Sequence, residues 1–200
     1  MSVFRLYTER KDRENFEAVS LLNELRNIPG NENLSRLRIL NRYDVEGLEA
    51  QDFEACKNLI FAEPFTDETL EALPDDASNI LAVEALPGQY DQRADAAEQC
   101  AMLLLGFRPV VRTARIYIFY GDVKNFDGVR KFLINPVEAR EAQLEEYQSL
   151  EAEYSRPEDV KTIETEKLSE LKNLAMSTED LECCRKYFES EGRDPTETEI

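Results

Sequence analysis

Four cysteines, Cys56, Cys100, Cys183 and Cys184, are the side chains best suited to nucleophilic or metal-binding chemistry. None of them forms a CxxC pair, and all lie in apolar helical patterns, which is typical of reduced packing residues rather than of disulfides or zinc ligands. The chain contains no histidine. The commonest general base near neutral pH is therefore missing, and a cysteine or serine nucleophile would need another activator.

Phosphate-binding loops and paired acids are the next candidates for chemistry. The seven glycines are scattered, and no GxGxxG or GxxxxGK[ST] loop is present to bind a phosphate through backbone amides. No paired-carboxylate motif stands out among the many acidic residues. We therefore predict no catalytic residue, no cofactor-binding residue and no metal site in this chain, and a self-contained enzyme would have to work with acidic residues alone.

The composition fits a folded acidic protein. The chain has 200 residues with 42% hydrophobic content, enough for one substantial domain or two small ones. The 42 acidic and 24 basic side chains give a net charge of -18, which disfavours nucleic acid and an anionic membrane as partners. The N-terminal residues lack the apolar run of a signal peptide, and the longest apolar run, residues 101–105, is too short to span a bilayer. We expect a cytoplasmic protein.

Hydrophobic periodicity predicts one order of elements that occurs twice. The first unit has a strand at 3–7, a helix at 15–26, a strand at 34–43 and a helix at 52–60; the second has a strand at 80–86, a helix at 92–105, a strand at 113–120 and a helix at 126–133. A shift of 77 positions places Arg38 on Arg115 and Ile39 on Ile116. This pattern indicates an internal duplication.

The pattern within each element predicts which face is buried. In the strand at 34–43, Leu37, Ile39 and Tyr43 share one face, and Arg36, Arg38 and Arg42 share the other. In the helix at 15–26, Phe16, Val19 and Leu22 have helical spacing. In the helix at 92–105, Asp91 is the predicted N-cap, and the predicted buried stripe contains Ala97, Cys100, Ala101 and Leu104. Such small residues let a helix approach a sheet closely.

The character of the chain changes after Pro136. Residues 137–200 carry most of the net negative charge and few strand-forming residues. A charged helix is expected at 137–154, a helix or linker at 160–174, and a further helix from the capping box at Ser177 and Asp180 to Gly192. Thr196 and Glu199 have the spacing of another capping box, which predicts that the natural protein continues beyond Ile200.

Together these features predict an α+β fold. Two related strand-helix-strand-helix units, residues 1–136, are expected to meet about a pseudo-twofold axis, followed by an acidic, mostly helical linker, residues 137–200. In this arrangement the strands carrying Arg38 and Arg115 and the helix carrying Gln92, Arg93 and Asp95 present polar faces outward.

Five separated segments carry a resemblance to a known family. They are LNRYDVEG at 40–47, LPGQYDQRADAAEQC at 86–100, TARIYIFYGD at 113–122, INPVEAREA at 134–142 and RDPTETEI at 193–200. In this order they resemble the N-terminal region of the large, single-chain phosphoribosylformylglycinamidine synthase, an ATP-dependent ligase of purine biosynthesis that uses glutamine as its amide donor. The resemblance implies a first domain like a dimer of the small separate subunit found with shorter forms of the enzyme, then a helical linker.

The resemblance implies a non-catalytic role for these residues. In that family the sites for ATP, Mg²⁺ and substrate belong to the synthetase domain, and the glutaminase nucleophile lies at the far C-terminus. The implied partners are therefore the synthetase and glutaminase domains of the same chain. Candidate interdomain docking residues are Arg38, Gln92, Arg93, Asp95 and Arg115; the alternative is that they form an ordinary solvated surface. A second hypothesis is a free-standing regulatory domain that binds a small molecule.

Overall fold

A computed structural model of the chain describes residues 2–11, 15–150, 159–170 and 175–200. The chain divides into two compact units, Met1–Ala152 and Glu153–Ile200. This division lies later than the domain boundary predicted at residue 136. No helix among the described residues is long and apolar enough to cross a membrane.

The first unit is built on one six-stranded antiparallel sheet. Its strands are β1 (Val3–Arg10), β2 (Leu34–Glu46), β3 (Asp67–Leu70), β4 (Asn79–Ala85), β5 (Val110–Gly121) and β6 (Ala139–Glu141). They lie in the order β3-β1-β2-β5-β4-β6. The long strands β2 and β5 pair at the centre, with Asn41 opposite Arg115.

Four α-helices accompany the sheet. They are α1 (Phe16–Arg26), α2 (Ala50–Cys56), which continues as a π-helical turn at Lys57–Phe61, α3 (Gln92–Leu105) and α4 (Phe126–Leu133). The α+β class and the eight strands and helices predicted in the first 136 residues are confirmed. The short edge strands β3 and β6 are additional to the prediction.

One face of the sheet carries two separate hydrophobic clusters. Direct pairing in the antiparallel ladder places Leu37 opposite Phe119 and Val45 opposite Val111, so all four point to this face. At one end of the central strands, α1 and α4 complete a cluster that includes Leu25, Leu37, Leu81, Phe119 and Val129. At the other end, α2, the π-helical turn and α3 complete a cluster that includes Leu6, Val45, Phe53, Phe61 and Ala101.

Helix α3 packs through small residues, as its sequence predicts. Asp91 caps it, since its side chain accepts a hydrogen bond from the Ala94 amide. The buried residues of α3 are Ala94, Ala97 and Ala101. Cys100 and Leu104, which the predicted stripe included, are exposed.

The apolar row predicted for α1 is wrong at Phe16 and Val19. Phe16 and Val19 are 76% and 61% exposed, and the helix instead buries Ala18 and Leu25, with Leu22 partly buried. The exposed row of Phe16 and Val19 and the buried row of Ala18 and Leu25 both have helical spacing, because α1 carries apolar residues on more than one side. Contact with the sheet decides which row is covered, and spacing along the helix alone does not contain that information.

Substitution of Ala101 tests the close approach of α3. Ala101 is fully buried, so Ala101→Leu inserts three extra carbons where the helix meets the sheet. We expect the free energy of unfolding to fall by about 1 to 3 kcal/mol, measured by urea titration. The matched control is Ala96→Leu on the exposed side of the same helix, expected to change stability by less than about 0.5 kcal/mol. Equal effects would show that α3 has room at its buried face.

The second face of the sheet buries a network of charges. Asp44 and Arg42 are 0% and 1% exposed. The Asp44 carboxylate accepts a hydrogen bond from Arg5 Nε at 2.5 Å and lies 2.8 Å from Arg42 Nε. The Arg42 N–H and the Asp44 oxygen make an ion pair without a well-directed hydrogen bond. Two guanidinium groups thus share one carboxylate as counter-charge inside the protein.

Residues 142–150, here called the crossing segment, cover this network. Arg42 donates to the Gln143 carbonyl at 2.7 Å, and Arg5 donates to the carbonyls of Leu144 and Glu145 at 2.6 and 3.0 Å. The Glu46 carboxylate accepts from the Leu150 amide at 2.7 Å. The crossing segment is therefore tied to β1 and β2 at both of its ends.

An aromatic ring sits at the middle of the crossing segment. The ring of Tyr147 lies 5.5 to 5.7 Å from the guanidinium carbons of Arg5, Arg42 and Arg112. Its hydroxyl donates to Glu84 at 3.1 Å. Burial, followed by the neighbouring Glu84 carboxylate, raises the pKa of the Tyr147 hydroxyl.

The helix predicted at 137–154 is wrong for its described part, residues 137–150. Residues 139–141 form β6 and pair with β4. The carbonyls of residues 143–145 accept hydrogen bonds from arginines of the sheet, so they are not used in a helical ladder. Sheet pairing and arginine contacts replace the helix that the local composition favours. The end of the predicted helix, 151–154, lies outside the described residues.

The second unit contains a 3₁₀ helix at Thr165–Glu170 and α5 at Thr178–Glu191. The predicted capping box of Ser177 and Asp180 is confirmed, and α5 ends at Gly192 with φ +68°. Thr196 and Glu199 also exchange hydrogen bonds, 2.8 Å from the Thr196 amide and 3.3 Å from the Glu199 amide. Arg193 and these bonds lower the pKa of Glu199 to about 2. Part of the segment predicted at 160–174, residues 171–174, lies outside the described residues.

Candidate functional site

A polar groove lies over the centre of the sheet, on the face that carries α1 to α4. Its volume is about 610 Å³, within the usual range for small-molecule sites. The floor is formed by Asn41 of β2, Val83 of β4 and Thr113 and Arg115 of β5. The first turns of α3 and Ile60 line its wall. Asn41, Thr113 and Arg115 are only partly buried, so polar groups remain accessible between the two hydrophobic clusters.

Arg115 stands at the middle of the floor. Its guanidinium pairs with the exposed carboxylate of Glu17 on α1. Its Nε is buried and has no hydrogen-bond partner among the described residues. The Glu17 contact therefore uses only part of the hydrogen-bonding capacity of this side chain.

Arg93 stands at the wall, in the first turn of α3. It donates to the Tyr43 hydroxyl at 3.2 Å. No carboxylate within the described ranges is in ion-pairing distance of its guanidinium. The groove thus contains a second cation, Arg93, and the hydroxyl to which it donates is uncharged.

Asp91 fastens α3 to the sheet. One carboxylate oxygen accepts from the Ala94 amide at 3.0 Å, and the other accepts from the Thr113 hydroxyl at 2.8 Å. Both oxygens are therefore engaged within the protein. Because this carboxylate sits at the positive end of the α3 dipole, it also offsets the attraction of that end for anions.

Asp95 belongs to a surface network beside the groove and does not line it. Its carboxylate accepts from Tyr90 at 2.7 Å, from Gln99 at 2.7 Å and from Arg108 at 2.6 Å. The Tyr90 hydroxyl, with Arg108 and Gln99, lowers the pKa of Asp95, and the same contact raises the pKa of Tyr90. The network connects α3 to the loop that enters β5.

The structure brings together some of the residues predicted for docking. Gln92, Arg93 and Arg115 line the groove, and Asp95 lies next to it on α3. Arg38 lies apart from them, because it is on the opposite face of the sheet. There it donates to Glu9 at 2.6 Å and to the Tyr120 hydroxyl at 3.4 Å, and the Glu9 carboxylate raises the pKa of Arg38.

The pairing of Arg38 with Arg115 is therefore wrong as a structural equivalence. Arg38 lies opposite Ile118, whereas Arg115 lies opposite Asn41. Side chains alternate between faces along a strand, so a shift by an odd number of positions exchanges the faces. A shift of 77 matches similar residue types, but it places each residue of β2 on a residue of the opposite face in β5.

Sequence reasoning missed Asn41, Tyr43 and Thr113 as groove residues. The signal was present in the alternation of β2, where Leu37 and Ile39 are followed on the same face by Asn41. A polar residue that interrupts a buried row is expensive unless it has a partner or faces solvent. That interruption marks the centre of the groove.

The cysteines divide between core and surface. Cys56 is buried, and burial raises the pKa of its thiol; this is the packing role predicted for it. Cys100 and Cys183 are exposed, and Cys184 is partly buried, so packing does not describe all four. All four are free thiols, and no potential metal-binding cluster occurs in the part of the chain that the structure describes.

Comparison of the chain with protein-family models and with curated proteins finds no match.

Proposed function

We propose that residues 1–152 form a non-catalytic scaffold domain of a phosphoribosylformylglycinamidine synthase. In that enzyme, ATP, Mg²⁺ and glutamine act at other domains of the same chain, and this domain holds the synthetase and glutaminase domains in register. A cytoplasmic location belongs to the same proposal. The observation that supports it most is the arrangement of the sheet as two like halves.

The order of the strands supports an internal duplication. β3-β1-β2 on one side of the sheet corresponds to β6-β4-β5 on the other. Each half runs strand, helix, strand, helix, strand along the chain. A pseudo-twofold axis between β2 and β5 would relate the halves, as in a fused dimer of a small subunit.

Equivalent positions support the same interpretation. Asn15 and Asp91 both cap helices, 76 positions apart. At the same displacement, buried Ala18 and Leu25 of α1 correspond to buried Ala94 and Ala101 of α3, and the positive-φ residue Gly30 corresponds to Gly106. Gly47 follows β2, and Gly121 ends β5. These two glycines are 74 positions apart, and both have positive φ. The displacement of 74 is even, so it keeps the residues of β2 on the same face in β5.

A duplicated, braced sheet suits a scaffold that must keep a fixed geometry. Ammonia released at a glutaminase site is largely protonated in bulk water near pH 7 and is then unreactive, so its transfer needs two sites held at a constant separation. The long β2–β5 ladder and the charge network on the second face both restrain the domain. Polar residues of α3 and the groove rim are the proposed contacts for the neighbouring domains.

Substitution on α3 tests the scaffold proposal in the intact enzyme. We expect Arg93→Ala with Asp95→Ala to reduce glutamine-dependent turnover about fivefold and to leave ammonia-dependent turnover unchanged. Loss of a surface contact of about 1 kcal/mol corresponds to such a change, and externally added ammonia bypasses the coupling between sites. Both activities are measured by steady-state kinetics on the same preparation.

The matched control removes an arginine and an aspartate from another helix. Asp127 and Arg130 form an exposed pair at 3.2 Å on α4, and their replacement by alanine is expected to leave both activities unchanged. An equal decrease of both activities in the α3 variant, or of neither, would contradict a docking role for this surface.

A further inference from the structure

We propose that the central groove binds a small organic carboxylate, with Arg93 and Arg115 as its anion-binding residues. This assigns a ligand site to the domain in addition to the proposed scaffold role. The occupant is a free molecule of amino-acid size that carries one carboxylate on a short carbon chain.

The groove has a polarity that packing does not require. Along the same face of β2, Leu37 and Ile39 serve one hydrophobic cluster and Val45 serves the other, yet Asn41 between them is polar. On the neighbouring strand β5, Thr113 and Arg115 are likewise polar residues of this face. Apolar side chains here would join the two clusters into one core, at a gain of about 25 cal/mol per Å² of apolar surface buried. Retaining polar groups at this position favours a binding role.

The cations of the groove have capacity for another acceptor. The buried Nε of Arg115 lacks a hydrogen-bond partner among the described residues, while its Nη2 pairs with Glu17. Within the described part of the chain, Arg93 makes one hydrogen bond, of 3.2 Å to the neutral Tyr43 hydroxyl. A guanidinium presents several N–H donors in a planar fork that matches a carboxylate.

The surroundings favour a singly charged ligand. No lysine of the described ranges lines the groove. The Asp91 carboxylate lies at its wall, and the Glu17 carboxylate lies beside Arg115. The chain as a whole carries a net charge of -18. A phosphate with about two negative charges would meet more repulsion here than a carboxylate with one. Ile60, Val83 and Ala96 provide apolar surface for a short carbon chain.

Titration of the 200-residue chain followed by ¹H–¹⁵N NMR tests this site. The probes are acetate, succinate and the free L-amino acids, with inorganic phosphate and adenosine monophosphate for comparison. We expect at least one carboxylate to shift the amide signals of Arg93, Thr113 and Arg115 saturably, with a Kd below about 1 mM. No saturable shift with any carboxylate, or tighter binding of either phosphate compound, would overturn the proposal.

Three variants identify the groups responsible. Arg93→Gln and Arg115→Gln are expected to weaken the carboxylate about tenfold each, since each removes a charged hydrogen-bond donor. Asn41→Asp keeps both arginines and adds a negative charge to the floor, so it is expected to weaken binding at least as much. Arg130→Gln, on α4 and outside the groove, is the control and is expected to bind like the unmodified chain.

The NMR spectra also report whether each variant is folded, because signals far from the groove should keep their positions. Unchanged affinity in the folded Arg93→Gln and Asn41→Asp variants would overturn the assignment. The titration needs no enzymatic turnover, so its failure is separate from failure of the scaffold proposal.

Discussion

Asp44→Ala is expected to lower the free energy of unfolding of the first unit by about 3 to 5 kcal/mol. Asp44 is fully buried and is the carboxylate that Arg5 and Arg42 both contact, at 2.5 and 2.8 Å. Its removal leaves two guanidinium groups beside each other without a counter-charge. Arg42 is itself 1% exposed, so it cannot regain full hydration without disturbing the sheet. Urea titration followed by far-ultraviolet circular dichroism measures the change.

A surface pair provides the control for Asp44. Asp122 and Lys124 lie 3.3 Å apart, with side chains 52% and 67% exposed. Asp122→Ala is expected to change the free energy of unfolding by less than about 1 kcal/mol. A loss for Asp44→Ala as small as this would mean that water reaches the network, and that the two arginines are not stabilised by this carboxylate alone.

The charge network also determines where the crossing segment lies. The arginines that contact Asp44 also donate to carbonyls of residues 143–145. Loss of Asp44 is therefore expected to affect both the sheet and the crossing segment. This connects the stability prediction to the scaffold proposal. A domain that holds others in register needs its own second face restrained, and the crossing segment provides that restraint over β1 and β2.

The spacing of apolar residues along the sequence predicted the main strands and helices of the first unit well. Strands β2 and β5 alternate strongly, and α3 has a capping aspartate and a terminal glycine, so local signals agree with the fold. The placement of Arg38 and Arg42 on the face opposite Leu37 and Ile39 was also predicted, but the expected outward exposure of that row is wrong, because Arg42 is 1% exposed and Arg38 pairs with Glu9. The sequence thus contained the two faces of the sheet.

Tertiary contacts that act at long range in the chain could not be predicted in the same way. β6 and the crossing segment depend on partners near residues 5, 42 and 84, and their local sequence favours a helix. The groove depends on the register of β2 against β5, which places Asn41 opposite Arg115. Aligning the two units at a shift of 77 could not find it, because an odd displacement exchanges the faces of β2 and β5.

Gly121→Ala is expected to be destabilising by about 3 kcal/mol or more. Gly121 ends β5 with φ +98°, opposite Leu34 and next to a register irregularity in β2. A Cβ at this position would lie 2.6 Å from the Asn33 carbonyl oxygen and 2.8 Å from the Ser35 amide nitrogen. Both neighbours are backbone atoms, so the start of β2 would have to move. Thermal and urea unfolding measure the loss.

Gly88→Ala separates the two causes of that loss. Gly88 also has positive φ, +87°, but an added Cβ would meet no atom within 4 Å. Its substitution therefore carries only the conformational cost, about 1 to 2 kcal/mol, while Gly121→Ala carries that cost and the backbone clash. If the two variants lost equal stability, the β2–β5 junction would have enough freedom to accept a side chain. A larger loss at Gly121 would instead show that the pairing of β2 with β5 is closely fitted at this end, as the scaffold proposal requires.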